Sequence, residues 1–245
     1  MTEPFRWKNC FADVVSSKYG PLAHAFLREV VEPSLTALDR QIIELRLSDD
    51  PVAAFIQADV EELRRATIMA FCLSIQSLWE RQIRAYLQGC ARQLRADDGN
   101  LAKKAMTARW EDIDNLFNEL RGISLKEFPG YLNLDLLHLL GNACRHGDGP
   151  SLKALSDAHP VLWLHRDSVL DDPLFSPTID GLVITPEILR TSVAAITSFW
   201  DETEYIYNES IERKHPALEA KLIEMRQERE RRGGWRTGRH KTVGL

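Results

Sequence analysis

The feature that most constrains the fold is a proline-free stretch from about Val52 to Leu94 with apolar residues at helical spacing. The stripe consists of Ile68, Phe71, Cys72, Ile75, Leu78, Trp79, Ile83, Tyr86 and Leu87. Residues three and four apart share one face of an α-helix, so this stretch predicts a helix. Residues 48–51 precede it with capping oxygens, acids and a proline, which is typical of a helix start. Because the stretch is long for one globular helix, we expect a break near Gln57 to Glu61.

Apolar stripes elsewhere predict further helices. One starts at Pro21 and kinks or ends at Pro33. Two more cover about Leu101–Arg121 and Tyr131–His146. The last starts at Pro186, and a new segment follows Pro216. The strand-like runs 161–164 and 182–184 are too short for a substantial sheet. The sequence therefore predicts an all-α bundle of five or six helices with at most a minor β-hairpin. We expect a helical extension over 1–60, the bundle over 61–225 and a flexible tail over 226–245.

Composition narrows the class of protein. The 245 residues are 44% hydrophobic and 27% charged, which is typical of soluble globular chains and excludes collagen-like, low-complexity and wholly disordered ones. No apolar run approaches the roughly 20 residues that span a bilayer, so we expect no membrane segment. The N-terminal residues lack the apolar core of a secretory signal, so we expect a cytoplasmic location. The four cysteines form no CxxC pair and are interpreted as small apolar fillers.

Charge is distributed unevenly along the chain. Residues 226–245 carry seven Lys/Arg and two acids, a net charge of +5, whereas the remaining residues carry −10. A basic tail on an acidic body indicates a polyanionic partner, such as RNA. The alternative is that the tail is an unfolded segment that only increases solubility. Within the tail, residues 233–239 resemble an arginine–glycine RNA-contacting segment. Trp235 would stack on a base there, and Arg236 and Arg239 would contact the backbone.

The predicted helix over 131–146 has a polar stripe opposite its leucines. On a helical wheel the stripe contains Asp135, His138, Asn142, Arg145 and His146. An imidazole, an amide and a guanidinium on one helix face are suited to acid–base chemistry on a phosphate. The same stripe is also compatible with an ordinary solvated face, and periodicity does not distinguish the two.

Residues 139–147 resemble the signature helix of the HEPN superfamily (higher eukaryotes and prokaryotes nucleotide-binding), in which Asn precedes a His followed by Gly. Here Asn142, His146 and Gly147 stand in that order and spacing. Residues 77–84 resemble the family helix that gives an acidic residue to the site, here Glu80. The resemblance implies a small α-helical bundle that pairs as a homodimer. Many members are metal-independent ribonucleases of toxin–antitoxin, phage-defence and CRISPR systems.

The chain departs from the family pattern at one position, because Gly141 stands where the motif has Arg. Arg145 lies on the same stripe and would supply the cation from another position, or the site is inactive. A glycine inside a helix costs roughly 1 kcal/mol relative to alanine, so a contact reason is expected, such as close approach of a second helix. The family's modified branch has Tyr two residues after the His. Asp148 stands there instead, so its nucleotidyltransferase partner is not expected.

The resemblance thus implies a HEPN-like metal-independent endoribonuclease or toxin of a bacterial defence or toxin–antitoxin system. The candidate catalytic residues are His146, Asn142, Arg145 and Glu80, and neither a metal nor a cofactor is expected. Glu80 would either orient His146 or complete a network inside the bundle. Expected partners are RNA, a second copy of the chain, and an antitoxin or sensor protein. The alternatives are a non-catalytic HEPN-like dimeric interaction module, which Gly141 favours, and an RNA-binding protein that uses the basic tail.

Overall fold

The computed structural model describes residues 4–163 and 177–231. The α-helices are α1 (Phe11–Ser16), α2 (Tyr19–Phe26), α3 (Glu32–Arg46), α4 (Ala53–Leu94), α5 (Gly99–Thr107), α6 (Trp110–Arg121), α7 (Tyr131–His146), α8 (Pro150–Ala158), α9 (Pro186–Glu209) and α10 (Pro216–Arg231). No strand forms within these two ranges. The predicted all-α bundle is therefore confirmed. Six of the helices in these ranges have twelve or more residues.

The 42-residue helix α4 is the central element of the bundle. Helices α1, α3, α5, α7 and α9 all pack against it. It has no break near Gln57 to Glu61, so that prediction was wrong. The reason is that α3 lies alongside the N-terminal half of α4 and buries Val60 there. The boundary expected at residue 60 therefore falls inside a continuous helix, and α3 joins the N-terminal residues to the bundle.

A buried aromatic cluster fills the space between α4, α6 and α9. The ring of Phe199 lies 4.9 Å from Trp79 and 5.9 Å from Phe117, in edge-to-face geometry. Trp200 packs against Trp79 and Tyr86 in the same way. Aromatic pairs at these separations add to the stabilisation from burial alone. This cluster fixes α9 against α4 and so supports the helices on either side of it.

The single helix expected over Leu101–Arg121 is two helices, which corrects that prediction. The chain leaves the helical conformation at Ala108, whose ψ is 142°, and α6 starts at Trp110. Glu111 and Asp112 occupy the first turn of α6, where acidic side chains interact favourably with the helix dipole. The break lets α5 pack on α4 while α6 turns its apolar face towards the aromatic cluster.

At Pro33, where the sequence predicted a kink or an end, a π-helical turn over Leu27–Val31 separates α2 from α3. The strand-like runs meet in a backbone hydrogen bond of 2.9 Å, which the N–H of Val183 donates to the carbonyl of Leu162.

No helix in the described ranges is both long enough and apolar enough to span a bilayer.

Helix α10 changes the interpretation of the basic tail. It continues to Arg231, beyond the start of the tail expected at residue 226. Arg226 pairs with the buried carboxylate of Glu209, and Arg229 pairs with that of Glu202. Fraying from Arg226 was therefore a wrong expectation, because acids on α9 bind these two cations. Residues 232–245, with Trp235, Arg236 and Arg239, lie outside the described residues.

Candidate functional site

Helix α7 carries the candidate site on the face opposite its buried leucines. Leu134, Leu137, Leu140 and Ala143 are at most 2% exposed and fix the helix against its neighbours. Asn142 and His138 are half-buried, and Arg145 and His146 are exposed. The helix ends at Gly147, whose φ of +64° is a conformation that few other residues adopt. The polar stripe therefore runs from a partly enclosed middle to an open C-terminal end.

Gly141 lies at a close contact between α7 and α4. A Cβ atom at this position would lie 2.5 Å from Cγ and 2.8 Å from Cβ of Gln76. Both atoms are near the α4 backbone, so they have little freedom to move aside. The position where the family motif has its Arg is thus inside a helix contact and accepts no side chain. The close approach expected from the sequence is the physical reason for the glycine.

A chain of polar contacts links Arg145 to α4. Its guanidinium donates a hydrogen bond of 3.2 Å to Oε1 of Gln76. The amide of Gln76 in turn donates to Oε2 of Glu80, at 2.6 Å. Oε1 of Glu80 accepts bonds of 2.9 and 2.7 Å from Arg84. The structure therefore brings Arg145 and Glu80 into one network, with Gln76 between them.

Glu80 is held as a carboxylate by this network. Burial raises the pKa of Glu80, but the hydrogen bonds from Arg84 and Gln76 outweigh it and leave the pKa below its ordinary value. A carboxylate with two charge-assisted bonds from Arg84 is fixed in position. The hydrogen bonds of Glu80 come from Gln76 and Arg84, both on its own helix.

His138 and Asn142 form a second pair, one turn apart on α7. The Asn142 amide nitrogen lies 3.0 Å from Nε2 of His138. With the amide as donor, Nε2 accepts and the imidazole proton resides on Nδ1. Nδ1 is buried and has no hydrogen-bond partner among the described residues. Burial lowers the pKa of His138 more than the charges of Glu80 and Asp135 raise it, which favours the neutral ring.

Trp110 closes the site from α6. Its ring stacks on His138 with centroids 4.6 Å apart and planes 13° from parallel. Its indole N–H donates to Oδ1 of Asp135 at 3.3 Å. The stack fixes the orientation of the His138 imidazole. Because Asn142 is hydrogen-bonded to this ring, its side-chain amide is fixed as well.

His146 differs from the other candidates in its surroundings. It is exposed in the last turn of α7, next to Arg145. Within 4–163 and 177–231, no hydrogen bond, ion pair or ring contact involves its imidazole. The ring is therefore accessible to a ligand, or to a second molecule, that approaches the end of the helix.

Sequence reasoning did not assign three residues that the structure places in the site: Gln76, Arg84 and Trp110. Two of them had a usable signal, because Gln76, Glu80 and Arg84 follow one another at intervals of four residues on α4. Such spacing places them on one helix face. No local pattern pointed to Trp110, since its contact with His138 depends on the break before α6. In the described part of the chain, no three His, Cys, Asp or Glu side chains are grouped as a metal site.

No protein-family model matches the chain. No curated protein and no solved structure matches it either.

Proposed function

We propose that the chain is a HEPN-like endoribonuclease that cleaves RNA without a metal, as part of a bacterial defence or toxin–antitoxin system. The observation that carries the proposal is the exposure of Arg145 and His146, side by side at the open end of the polar stripe. An accessible imidazole next to a guanidinium provides a proton acceptor and a phosphate-binding group at one place. The order of Asn142, His146 and Gly147 in the sequence supports the same assignment.

The reaction requires few groups. The imidazole of His146 takes the proton of a ribose 2′-hydroxyl, and the oxygen attacks the adjacent phosphorus. Arg145 stabilises the negative charge that develops on the phosphate oxygens. The bond to the 5′-oxygen then breaks, that oxygen receives a proton, and a cyclic 2′,3′-phosphate remains. Gln76 acts as a positioning residue, because its hydrogen bond limits the movement of the Arg145 guanidinium.

A second copy of the chain completes this scheme. One imidazole serves as base for the nucleophile, and a second one is needed to protonate the leaving oxygen in the same step. His138 does not supply it, because it is stacked under Trp110 and bonded to Asn142. A two-fold homodimer with the α7 C-termini facing one another would provide two His146 and two Arg145 side chains in one cleft.

The test is cleavage of total RNA by the full chain in excess EDTA. We expect His146→Ala to abolish cleavage and Arg145→Ala to reduce it at least a hundredfold, with helicity and melting unchanged because both side chains are exposed. Matched controls are His24→Ala and Arg46→Ala, which change an exposed His and an exposed Arg in the last turns of α2 and α3. Both controls should remain fully active.

Three results would contradict this proposal. If the wild-type chain leaves RNA intact, or if cleavage persists in His146→Ala, it is not the proposed nuclease. If Arg145→Ala retains full activity, Arg145 does not replace the motif Arg.

A non-catalytic dimeric interaction module is the second candidate, and the contact between Gly141 and Gln76 favours it. This contact leaves no room for an Arg at the motif position, so the helix packing excludes the family's usual cation. A chain of this kind would form a stable dimer in light scattering and leave RNA intact at every concentration. Dimerisation that depends on the α7 C-terminal residues, without cleavage, would favour this candidate.

A further inference from the structure

Two of the four cysteines meet in the fold although they are far apart in sequence. Cys10 immediately precedes α1, and Cys90 lies near the C-terminal end of α4. Their Sγ atoms are 3.7 Å apart, which is van der Waals contact. A disulfide has its sulfur atoms about 2.0 Å apart, so the two atoms need to approach by roughly 1.7 Å. The packing of α1 against α4 has therefore already brought the chain segments together.

A buried cation lies beside this sulfur pair. The guanidinium of Arg121 donates to Sγ of Cys10 at 3.5 Å, and its side chain is fully buried. It is stacked between Trp7 and Tyr86, at 4.3 and 5.0 Å from the ring centres. It also pairs with Asp13 and donates to the carbonyl of Lys8 at 2.8 Å. Because these contacts hold the guanidinium in place, its positive charge remains next to the sulfur.

The two thiols have unequal environments. The hydrogen bond between the two thiols and the charge of Arg121 lower the pKa of Cys10 to about 7, against burial and the charge of Asp13. Burial raises the pKa of Cys90 far above its ordinary value. Cys10 is half-buried, whereas Cys90 is inaccessible to solvent. The pair thus combines a partly accessible thiolate with a buried thiol, an arrangement typical of a reactive cysteine next to a resolving one.

We propose that Cys10 and Cys90 form a peroxide-responsive thiol–disulfide pair that, once oxidised, covalently fastens the N-terminal segment to α4. The Cys10 thiolate attacks one oxygen of hydrogen peroxide, the O–O bond breaks, and hydroxide leaves. Cys10 becomes a sulfenic acid and the peroxide is reduced. Cys90 then gives up its proton and attacks the Cys10 sulfur, the S–O bond breaks, and water leaves. In total, two thiols and one peroxide yield one disulfide and two waters.

The other two cysteines provide an internal comparison. Cys72 on α4 and Cys144 on α7 also interact, and this interaction lowers the pKa of Cys144. The charges that act on this second pair do not include a guanidinium. If the cation beside Cys10 is what makes a pair reactive, the Cys72–Cys144 pair should oxidise much more slowly.

The experiment treats the full-length reduced chain with a few equivalents of hydrogen peroxide at neutral pH. Free thiols are then alkylated, and the peptides are mapped without reduction. We expect the Cys10 and Cys90 peptides to be joined at least ten times faster than those of Cys72 and Cys144, and dithiothreitol to reverse the link. Oxidation of Cys72 and Cys144 first, Cys10 joined between two chains, or a Cys10 sulfinic acid without any disulfide would each overturn the proposal.

Two variants separate the roles of the sulfur atoms. Cys90→Ala should stop the reaction at the Cys10 sulfenic acid, which dimedone traps, and Cys10→Ala should leave Cys90 reduced. In the reduced wild-type chain, the rate of Cys10 alkylation should reach half its maximum near pH 7. The Cys90 substitution changes a buried residue, but the wild-type peptide map and the alkylation profile do not depend on that variant folding. An alkylation midpoint at the value of a free thiol would contradict the role assigned to Arg121.

Discussion

At the scale of single residues, Gly141 shows how a packing requirement limits what the site can contain. The resembled family motif has an Arg at this position. A glycine inside a helix instead predicted that a second helix approaches closely there. The structure identifies the obstacle as Gln76, whose Cβ and Cγ occupy the space that any side chain at 141 would need. Gln76 then binds Arg145, so one residue both excludes a cation from one position and holds it at another.

The first prediction concerns Gly141→Ala, which should destabilise the chain by up to about 2 kcal/mol. Overpacking typically costs 1–3 kcal/mol, and the better helix propensity of alanine offsets about 1 kcal/mol of it. Urea unfolding measures the difference. Gly99→Ala is the matched control, because Gly99 is also helical and a Cβ there meets nothing within 4 Å. In a Gln76→Gly background, which removes both the Cβ and the Cγ that the new methyl group would meet, the cost of Gly141→Ala should fall by at least half. Additivity of the two changes would show that the contact is not the cause.

His138 leads to a prediction about pH. Burial lowers its pKa in the folded chain below the ordinary value of 6.5, so the unfolded chain binds the proton more tightly. The stability from this group is therefore fully present above about pH 6.5 and is lost as the pH falls through that value. Between about pH 7.5 and about pH 5.5, His138→Gln should lose less free energy of unfolding than the wild-type chain. His146→Ala is the control and should follow the wild type. Equal losses in all three chains would exclude His138 as the cause.

At the scale of helices, apolar periodicity predicted where helices lie but not how they end. The start of α9 was predicted from Thr185 and Pro186, and Thr185 does cap it by accepting from the N–H of Ile188 at 3.3 Å. The division between α5 and α6 was missed because its signal, two acids in a new first turn, lies within a continuous stripe. The sequence did not predict that α4 is continuous, because a helix of this length is unusual in a globular protein. Contacts with other helices along α4 stabilise the unbroken helix.

Helix α10 provides the prediction at this scale. The Glu209 side chain is 1% exposed and receives a hydrogen bond of 2.6 Å from Arg226. Removing Arg226 leaves a buried carboxylate with only the hydroxyl of Tyr205 as a side-chain donor in the described structure. Arg226→Ala should therefore cost about 2–3 kcal/mol of unfolding free energy. Arg231→Ala on the same helix, whose ion pair is exposed, should change it by less than about 0.5 kcal/mol. Equal effects of the two variants would mean that Arg226 does not fix α10 to α9.

At the scale of the whole molecule, the fold class followed from the sequence because nearly all helices have a continuous apolar face. The stripe on α7 was also visible, since it depends on one helix only. Apart from the close approach at Gly141, contacts that join different helices were not predictable. The network from Arg145 through Gln76 to Glu80 and the stack of Trp110 on His138 depend on which faces of α4, α6 and α7 meet. The periodicity of one helix shows which of its faces is apolar, but it does not show which other helix packs against that face.

The last prediction concerns the C-terminal cations and separates folding from RNA binding. Deleting residues 226–245 removes Arg226 and Arg229 and should destabilise the chain, because both cations pair with buried acids on α9. Deleting only 232–245 removes four Lys/Arg and keeps both of these contacts, so its melting temperature should fall less than that of the longer deletion. If RNA binds this tail, the shorter deletion should weaken binding and reduce the slope of log K against log salt by up to about 3, at roughly 0.7 per single-strand phosphate contact. Filter binding at several salt concentrations measures this slope. A slope unchanged by the 232–245 deletion would exclude the tail as an RNA contact, and the α7 stripe would then be the place to look for the RNA-binding cations.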